Sequence, residues 1–174
     1  EMYSCLVGSE MCIRDRNMSY DVNSNGDSAY ALIHALTGQA NLDGQNIILK
    51  GFDLAKMARG LAVDEKLAQS VSSLVDGATR GGQTQFDTIE GRYKIAKGVV
   101  KIETMAMDGA AARIDSTGHT DLPQWNINTD HKITLKNVPD LAPFNVKIKG
   151  PLDRPVNTFG VNVLEDYLGA KIRR

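Results

Sequence analysis

From Thr84 onward the apolar residues of this chain recur at every second position, and glycine or proline interrupts them at Gly91, Gly98, Gly109, Gly118, Pro123, Asn137-Val-Pro139 and Gly150-Pro151. A period of two places successive side chains on opposite faces of an extended chain. Breakers spaced about ten residues apart fold such a chain back on itself. The pattern predicts an antiparallel meander with strands at Gln83–Ile89, Arg92–Ala96, Val99–Met107, Ala111–Asp121, Trp125–Lys136 and Phe144–Lys149. One face collects Tyr93, Ile95, Val100, Ile102, Ile114, Ile127, Ile133, Leu135, Phe144, Val146 and Ile148, and the other is mostly Lys, Glu, Asp, Asn and Thr. A sheet that is apolar on one side must cover that side with helices, with a second sheet, or with a ligand that is itself apolar.

Ahead of the meander the pattern is partly helical. Met18–Ser24 alternates weakly and meets the turn dipeptide Asn25-Gly26, after which Ser28 caps a helix carrying Ala31, Leu32, Ala35 and Leu36, with Gly38 ending it. Asp43-Gly44 is a hairpin signal feeding a short apolar strand to Lys50. A helix over Phe52–Ala62 follows, with Leu54, Met57, Ala58 and Leu61 in phase, and Asp64 caps a second one over Glu65–Val75, with Gly77 past its end. A last helix starts at about Val161, with Leu164, Leu168 and Ile172 in phase and Lys171, Arg173 and Arg174 at the negative end of its dipole. The expected fold is α+β: an antiparallel β-meander forming a curved sheet or groove, with two or three short amphipathic helices packed at one end or face.

Glu1–Arg16 stands apart. It has neither the basic start and apolar stretch of a signal peptide nor the period of a strand or helix. Leu6–Asp15 back-translates to what looks like a transposon-type sequencing-library adapter read in frame. The segment is therefore taken as a non-native scar, expected to be disordered, and residues 17–174 as one domain of a larger protein whose natural start lies elsewhere. Both cysteines, Cys5 and Cys12, fall inside the scar, so the domain itself has no thiol for a disulfide, a zinc ribbon or a nucleophile. A thiol-free chain fits an oxidising compartment. The scar also carries two arginines and three acids, and without them the 20 basic and 21 acidic residues of the chain become 18 of each. A neutral domain has no field for gathering nucleic acid, and no apolar run reaches the length of a membrane-spanning helix.

The residues offer little catalytic chemistry. No G-x-S-x-G elbow occurs, and the histidines are scattered at His34, His119 and His131. His119-Thr-Asp121 would put two ligand-type side chains on one face of a strand, a weak metal signal on its own. Asp108 with Asp115, and Asp87 with Glu90, lie near turns, where aspartate is favoured for its backbone hydrogen bonds. Gly81-Gly82 and Gly91 form neither a dinucleotide fingerprint nor a phosphate loop. The lysines at 94, 97, 101, 132, 136, 147 and 149 alternate with acids, as on a solvated strand face. No cofactor, metal or catalytic residue is expected.

Several segments taken in order resemble the AsmA family of bacterial envelope proteins. Gly51-Phe-Asp-Leu-Ala-Lys-Met-Ala-Arg59 is similar to that family's G-x-D-L-x-x-L element after a strand, and Gly82-Gln-Thr-Gln-Phe-Asp-Thr-Ile-Glu-Gly91 to its G-x-T-x-F-x-x-L-x-G motif. Ile95-Ala-Lys-Gly98-Val-Val matches the strand turn that follows. Ser116-Thr-Gly-His-Thr-Asp-Leu122 has the shape G-x-G-x-x-D-L with Ser116 in place of a glycine. Phe144–Pro155 resembles the closing strand, departing at Asn145 and at Pro151. The resemblance spans Leu36 to about Pro155. It implies a C-terminal domain of a protein anchored in the inner membrane of a two-membrane bacterium with its bulk in the periplasm, taking part in phospholipid transport and outer-membrane assembly. The implied partners are phospholipid acyl chains, the remainder of its own full-length chain, and outer-membrane or other envelope proteins. The resemblance brings no catalytic residues.

On this reading the candidate lipid contacts are Tyr93, Ile95, Val100, Ile102, Ile114, Trp125, Ile127, Ile133, Leu135, Val146 and Ile148, with Trp125 placed at a wet rim by its indole N–H. The competing assignment for each is ordinary core beneath the helices at Phe52–Ala62 and Glu65–Val75. A second class of function, a structural or docking module that adds strands at a sheet edge, uses the same fold.

Overall fold

The computed structural model describes residues 4–5, 11–62, 71–79 and 81–172. In chain order the elements are β1 (Ser4–Cys5), β2 (Met11–Asn23), α1 (Ala29–Ala35), β3 (Thr37–Lys50), α2 (Leu54–Ala62), α3 (Val71–Thr79), β4 (Gln83–Ala96), β5 (Val99–Asp108), β6 (Ala112–Asp121), β7 (Asn126–Leu135), β8 (Phe144–Pro151), β9 (Val156–Phe159) and α4 (Asn162–Ile172). The strands form one nine-stranded antiparallel sheet in strict sequence order. The expected meander is present, and the four helices add to a mostly β chain.

Four local expectations change. Asp43-Gly44 makes no hairpin: Gly44 lies within β3, paired with Arg16 on one side and Ile89 on the other. Pairing on both sides outweighs the turn preference of two residues, and the irregularity that remains is Asn46, one of three non-glycine residues with a positive φ among the described residues, at 54°. Gly91 does not divide β4. A Cβ there would come within 2.8 Å of the Tyr93 hydroxyl, so the glycine makes room for the phenol, and a register shift at Arg92/Tyr93 is all that marks the site. Gly38 pairs with Val22 in β3, while α1 ends earlier, its cap Leu36 N–H donating to Ile33 O. Gly77 lies within α3, which runs on to Thr79, and the expected start of that helix at Glu65 falls outside the described residues.

One strand and the first half of another appear without a warning in the sequence. β9 pairs Val146↔Phe159 through Lys149↔Val156. β2 begins at Met11, so Met11–Arg16, which shows no strand period, is paired along β3 from Met11↔Leu49 to Arg16↔Gly44. The Ser28 cap is as expected, its hydroxyl accepting from Ala31 N–H at 3.1 Å.

The two segments that resemble family motifs meet in space. Gly51 N–H donates to Gly82 O and Asp53 N–H to Ala78 O, both at 2.9 Å. The Asp53 carboxylate caps α2 by accepting from Lys56 N–H at 2.7 Å. Thr84, buried on β4, accepts from Leu54 N–H at 3.0 Å and donates to Phe52 O at 2.6 Å. A helix start carries amide groups with no partner inside the helix, and here a strand hydroxyl supplies one. This clasp fixes α2 over one end of the sheet, where Leu54, Met57 and Leu61 join Val75, Ile47, Phe86, Ile89, Ile114, Ile133, Phe144 and Leu164 in a single core.

Candidate functional site: the uncovered end of the apolar sheet face

Residues directly opposite in an antiparallel sheet share a face, so the register locates each side chain. Ile89, Met107, Ile114, Ile133 and Phe144 form one row across β4 to β8, and all are buried. Toward the other end of the strands lies a row Tyr20, Ala40, Tyr93, Ile102, Gly118, Thr129, Ile148, and beyond it a row Val22, Gly38, Ile95, Val100, Thr120, Ile127, Gly150. Neither row contains a carboxylate, lysine, arginine or histidine. The face seen as apolar in the sequence is continuous through the sheet and runs past the part the helices cover.

The eleven candidate positions therefore divide. Ile114, Ile133, Leu135 and Val146 are buried in the core. Tyr93, Ile95, Val100, Ile102, Ile127 and Ile148 are half-buried in the two outer rows. Trp125 stands in the turn before β7 with φ 52° and 56% of its surface exposed. Its backbone is held by Trp125 N–H to Leu122 O and by Leu152 N–H to Trp125 O, leaving the ring at the edge of the strip. Burial pushes the Tyr93 phenol above its ordinary range.

Three contributors were missed in the sequence. Met18, Tyr20 and Val22 extend the apolar face onto β2 and are open to solvent, Tyr20 at 69%. Their spacing of two was the available signal, masked by the polar residues between them. Tyr30, Leu32 and Ile33 of α1 are also exposed, beside the β4–β5 turn where Gly98 N–H donates to Leu36 O. The third is a cleft of about 440 Å³ where the strip meets the covered end, walled by Phe52 and Phe159, whose rings lie 5.9 Å apart between centroids.

A small polar cluster lies on this face. His131 sits opposite Ser116, with Ser116 Oγ 2.8 Å from Nδ1 and Thr129 Oγ1 3.0 Å from Nε2. Whichever tautomer is present, one hydroxyl donates and the other accepts, so the buried Ser116 and Thr129 satisfy the ring completely. Burial holds the imidazole below its ordinary pKa, with the Asp130 carboxylate opposing. No carboxylate orients the ring, so this is not the arrangement of a nucleophilic triad. On the polar face Asp121 accepts from Gln124 N–H, Asp115 pairs with Arg113 and Asp108 with Lys136. Among the described residues, no group of three or more His, Cys, Asp and Glu could hold a metal ion, and no helix is long and apolar enough to cross a membrane.

No family model, curated protein or solved structure matches the chain.

Proposed function

We propose that this chain is an AsmA-like, non-enzymatic envelope domain whose sheet curves into a groove that receives phospholipid acyl chains. The observation that carries the reading is the uncovered apolar strip. From β2 to β8 it crosses six strand spacings of about 4.8 Å, or ~29 Å. That matches the ~30 Å hydrocarbon thickness of a bilayer, so one acyl chain, about half of that, fits across it. Burial of a chain on such a surface contributes about 0.8 kcal/mol per CH₂ without a specific polar contact. Head groups would remain in water beyond the rim at Trp125. The motifs at Gly51–Leu54 and Gly82–Phe86, which carry much of the resemblance, form the clasp that holds α2 clear of this strip. The setting that goes with the reading is the periplasm, with the remainder of the protein anchored in the inner membrane.

Native mass spectrometry with lipid extraction, on the chain purified from a bacterial periplasm, tests it. Bound phospholipid that is lost in Ile102→Glu and Ile127→Glu supports the reading, and a folded, lipid-free wild type refutes it. A second reading, a docking module without direct lipid contact, is favoured by the edge of β2. Among the described residues, its outer side is paired by β1 at Cys12 and Ile13, which leaves Met18, Tyr20 and Val22 on a strand open to augmentation. A lipid-free protein that self-associates, and becomes monomeric on Tyr20→Lys, would support that alternative.

A further inference from the structure

Among the described residues, eight large apolar side chains are open to solvent, and six of them gather at one end of the strands. Val22 lies near the end of β2, Tyr30, Leu32 and Ile33 are on α1, Trp125 stands in the β6–β7 turn and Val156 opens β9. The seven residues of α1, Ala-Tyr-Ala-Leu-Ile-His-Ala, include no carboxylate, lysine or arginine, yet none of them is buried. A helix this short does not hold itself together in water, and a gathering of exposed apolar side chains marks a contact surface. The rim is also fixed in shape. Gly98 N–H donates to Leu36 O, Leu122 N–H to Gly98 O, Trp125 N–H to Leu122 O and Leu152 N–H to Trp125 O, at 2.9–3.2 Å. These bonds tie α1 and the β4–β5, β6–β7 and β8–β9 turns into one edge.

Charge is sorted at the same edge. Along the chain the lysines alternate with acids, but across the sheet Lys94 lies opposite Lys101, Lys101 opposite His119, His119 opposite Asn128 and Asn128 opposite Lys149. This row crosses the polar face two residues from the strand ends at Ala96, Val99 and Pro151, and Lys97 stands beyond it in the β4–β5 turn. Like charges directly opposite destabilise a sheet, and among the described residues Lys94, Lys101 and Lys149 have no carboxylate within ion-pair distance. The one acid of the row is Asp21, at its β2 end. Of the acids nearer the rim, Asp27 precedes the Ser28 cap, Asp121 accepts from Gln124 N–H and Asp153 pairs with Arg154. Lysine stems lie along apolar surface and carry their charge outward. Aromatic and aliphatic side chains edged by such cations are the chemistry of a membrane–water interface.

We propose that this rim is a docking edge that seats the chain, strand ends down, on the surface of a bilayer containing anionic phospholipid. Tyr30, Leu32, Ile33 and Trp125 enter the interfacial layer, and Lys94, Lys97 and Lys101 face the lipid phosphates. The edge is built from α1, the turns and the polar face, not from the apolar strip. It rests on the lipid reading only for the purpose of docking, since contact at the rim needs no acyl chain in the strip.

The test floats the full chain at low salt with vesicles of phosphatidylethanolamine and phosphatidylglycerol, and with vesicles of phosphatidylcholine alone. The wild type is expected to partition at least tenfold more strongly onto the anionic vesicles. Lys94→Gln with Lys101→Gln should weaken that partitioning about thirtyfold, at about fivefold for each cation near an anionic surface. Leu32→Ser with Ile33→Ser should weaken it at least tenfold, and because α1 buries none of its residues, thermal melts should show this variant folded. Lys132→Gln, on the same face but about 13 Å along β7 from Asn128, removes a charge away from the rim and leaves partitioning within twofold. Trp125, the one tryptophan of the chain, should be quenched more by lipid brominated near the head group than by lipid brominated near the methyl end. Ile127→Glu brings negative charge to the row beside the rim and weakens docking too, so the strip variants have no place in this comparison. A wild type that does not float, flotation indifferent to the rim variants or equally lost in Lys132→Gln, or stronger quenching by the deep bromines overturns the proposal. Loss in the lysine variant with the α1 variant unharmed marks a site for a soluble polyanion and overturns it as well. Flotation by a wild type that carries no phospholipid in native mass spectrometry sustains the docking edge and sinks the transport reading. Bound phospholipid without flotation does the reverse.

Discussion

Thr84→Val keeps the shape of a buried side chain and removes one hydroxyl, which isolates the clasp between β4 and α2. In the wild type that hydroxyl accepts from Leu54 N–H at 3.0 Å and donates to Phe52 O at 2.6 Å. Leu54 is fully buried, so its amide has no water to turn to and costs about 1–3 kcal/mol when left without an acceptor. Phe52 is half-buried, and its carbonyl loses a bond worth about 1 kcal/mol. Together the substitution should destabilise the fold by about 2–4 kcal/mol, a drop in Tm of about 4–16 °C for a chain of this size. Urea melts followed by circular dichroism measure it, with Thr84→Ser, which keeps the hydroxyl, as companion. Hydrogen exchange should show the first amides of α2 opening before the sheet. A valine variant within about 0.5 kcal/mol of wild type, or a serine variant equally damaged, would refute the reasoning: packing of the methyl, not the hydroxyl, would then hold α2 down.

Other consequences are as direct. Gly118 sits at φ 121° with Asn128 O only 2.3 Å from where a Cβ would stand, so Gly118→Ala should part β6 from β7 and cost about 2–4 kcal/mol, read in the same urea melt. His131 is held below its unfolded pKa of about 6.5, so the unfolded chain binds the proton first. The stability tied to neutral His131 is thus complete above the unfolded value and lost as the pH falls below it, and His131→Gln should flatten the change in urea midpoint between pH 7 and pH 5. Asp115→Asn breaks an ion pair with Arg113 in which both partners are nearly half exposed, and should move stability by less than about 0.5 kcal/mol in low salt. Trp125 emission should shift to the blue on adding phospholipid vesicles to the wild type, and not in Ile102→Glu, Ile127→Glu double variants.

The sheet was legible because a period of two survives each turn: all eleven apolar-face residues read from the meander fall on one face in the register. Turn signals were less reliable. Asp43-Gly44 and Gly91 carry turn chemistry but sit in strands flanked by partners on both sides, and pairing over many residues exceeds the preference of a dipeptide. The same holds for Gly77 within α3, next to the core residue Ala78. What alternation cannot tell is which part of an apolar face is covered. That depended on the placement of α2, fixed by the bond between Leu54 and Thr84 thirty residues apart, and on the Phe52–Phe159 wall, whose members lie at opposite ends of the meander. The strip and the cleft differ by those long-range contacts alone.

The order of the strands has a further consequence. Because each strand neighbours only the one before and the one after it in the chain, a hairpin inserted at a turn parts only the two strands which that turn joins, and one added at an end of the meander parts none. Sheet width is thereby decoupled from topology, much as length is in a repeat protein. During synthesis each emerging strand finds its template already in place at the growing edge, with little loop-closure entropy to overcome. A surface whose span matters can in this way be lengthened by duplication, two strands and about 10 Å at a time, without redesigning what is already folded.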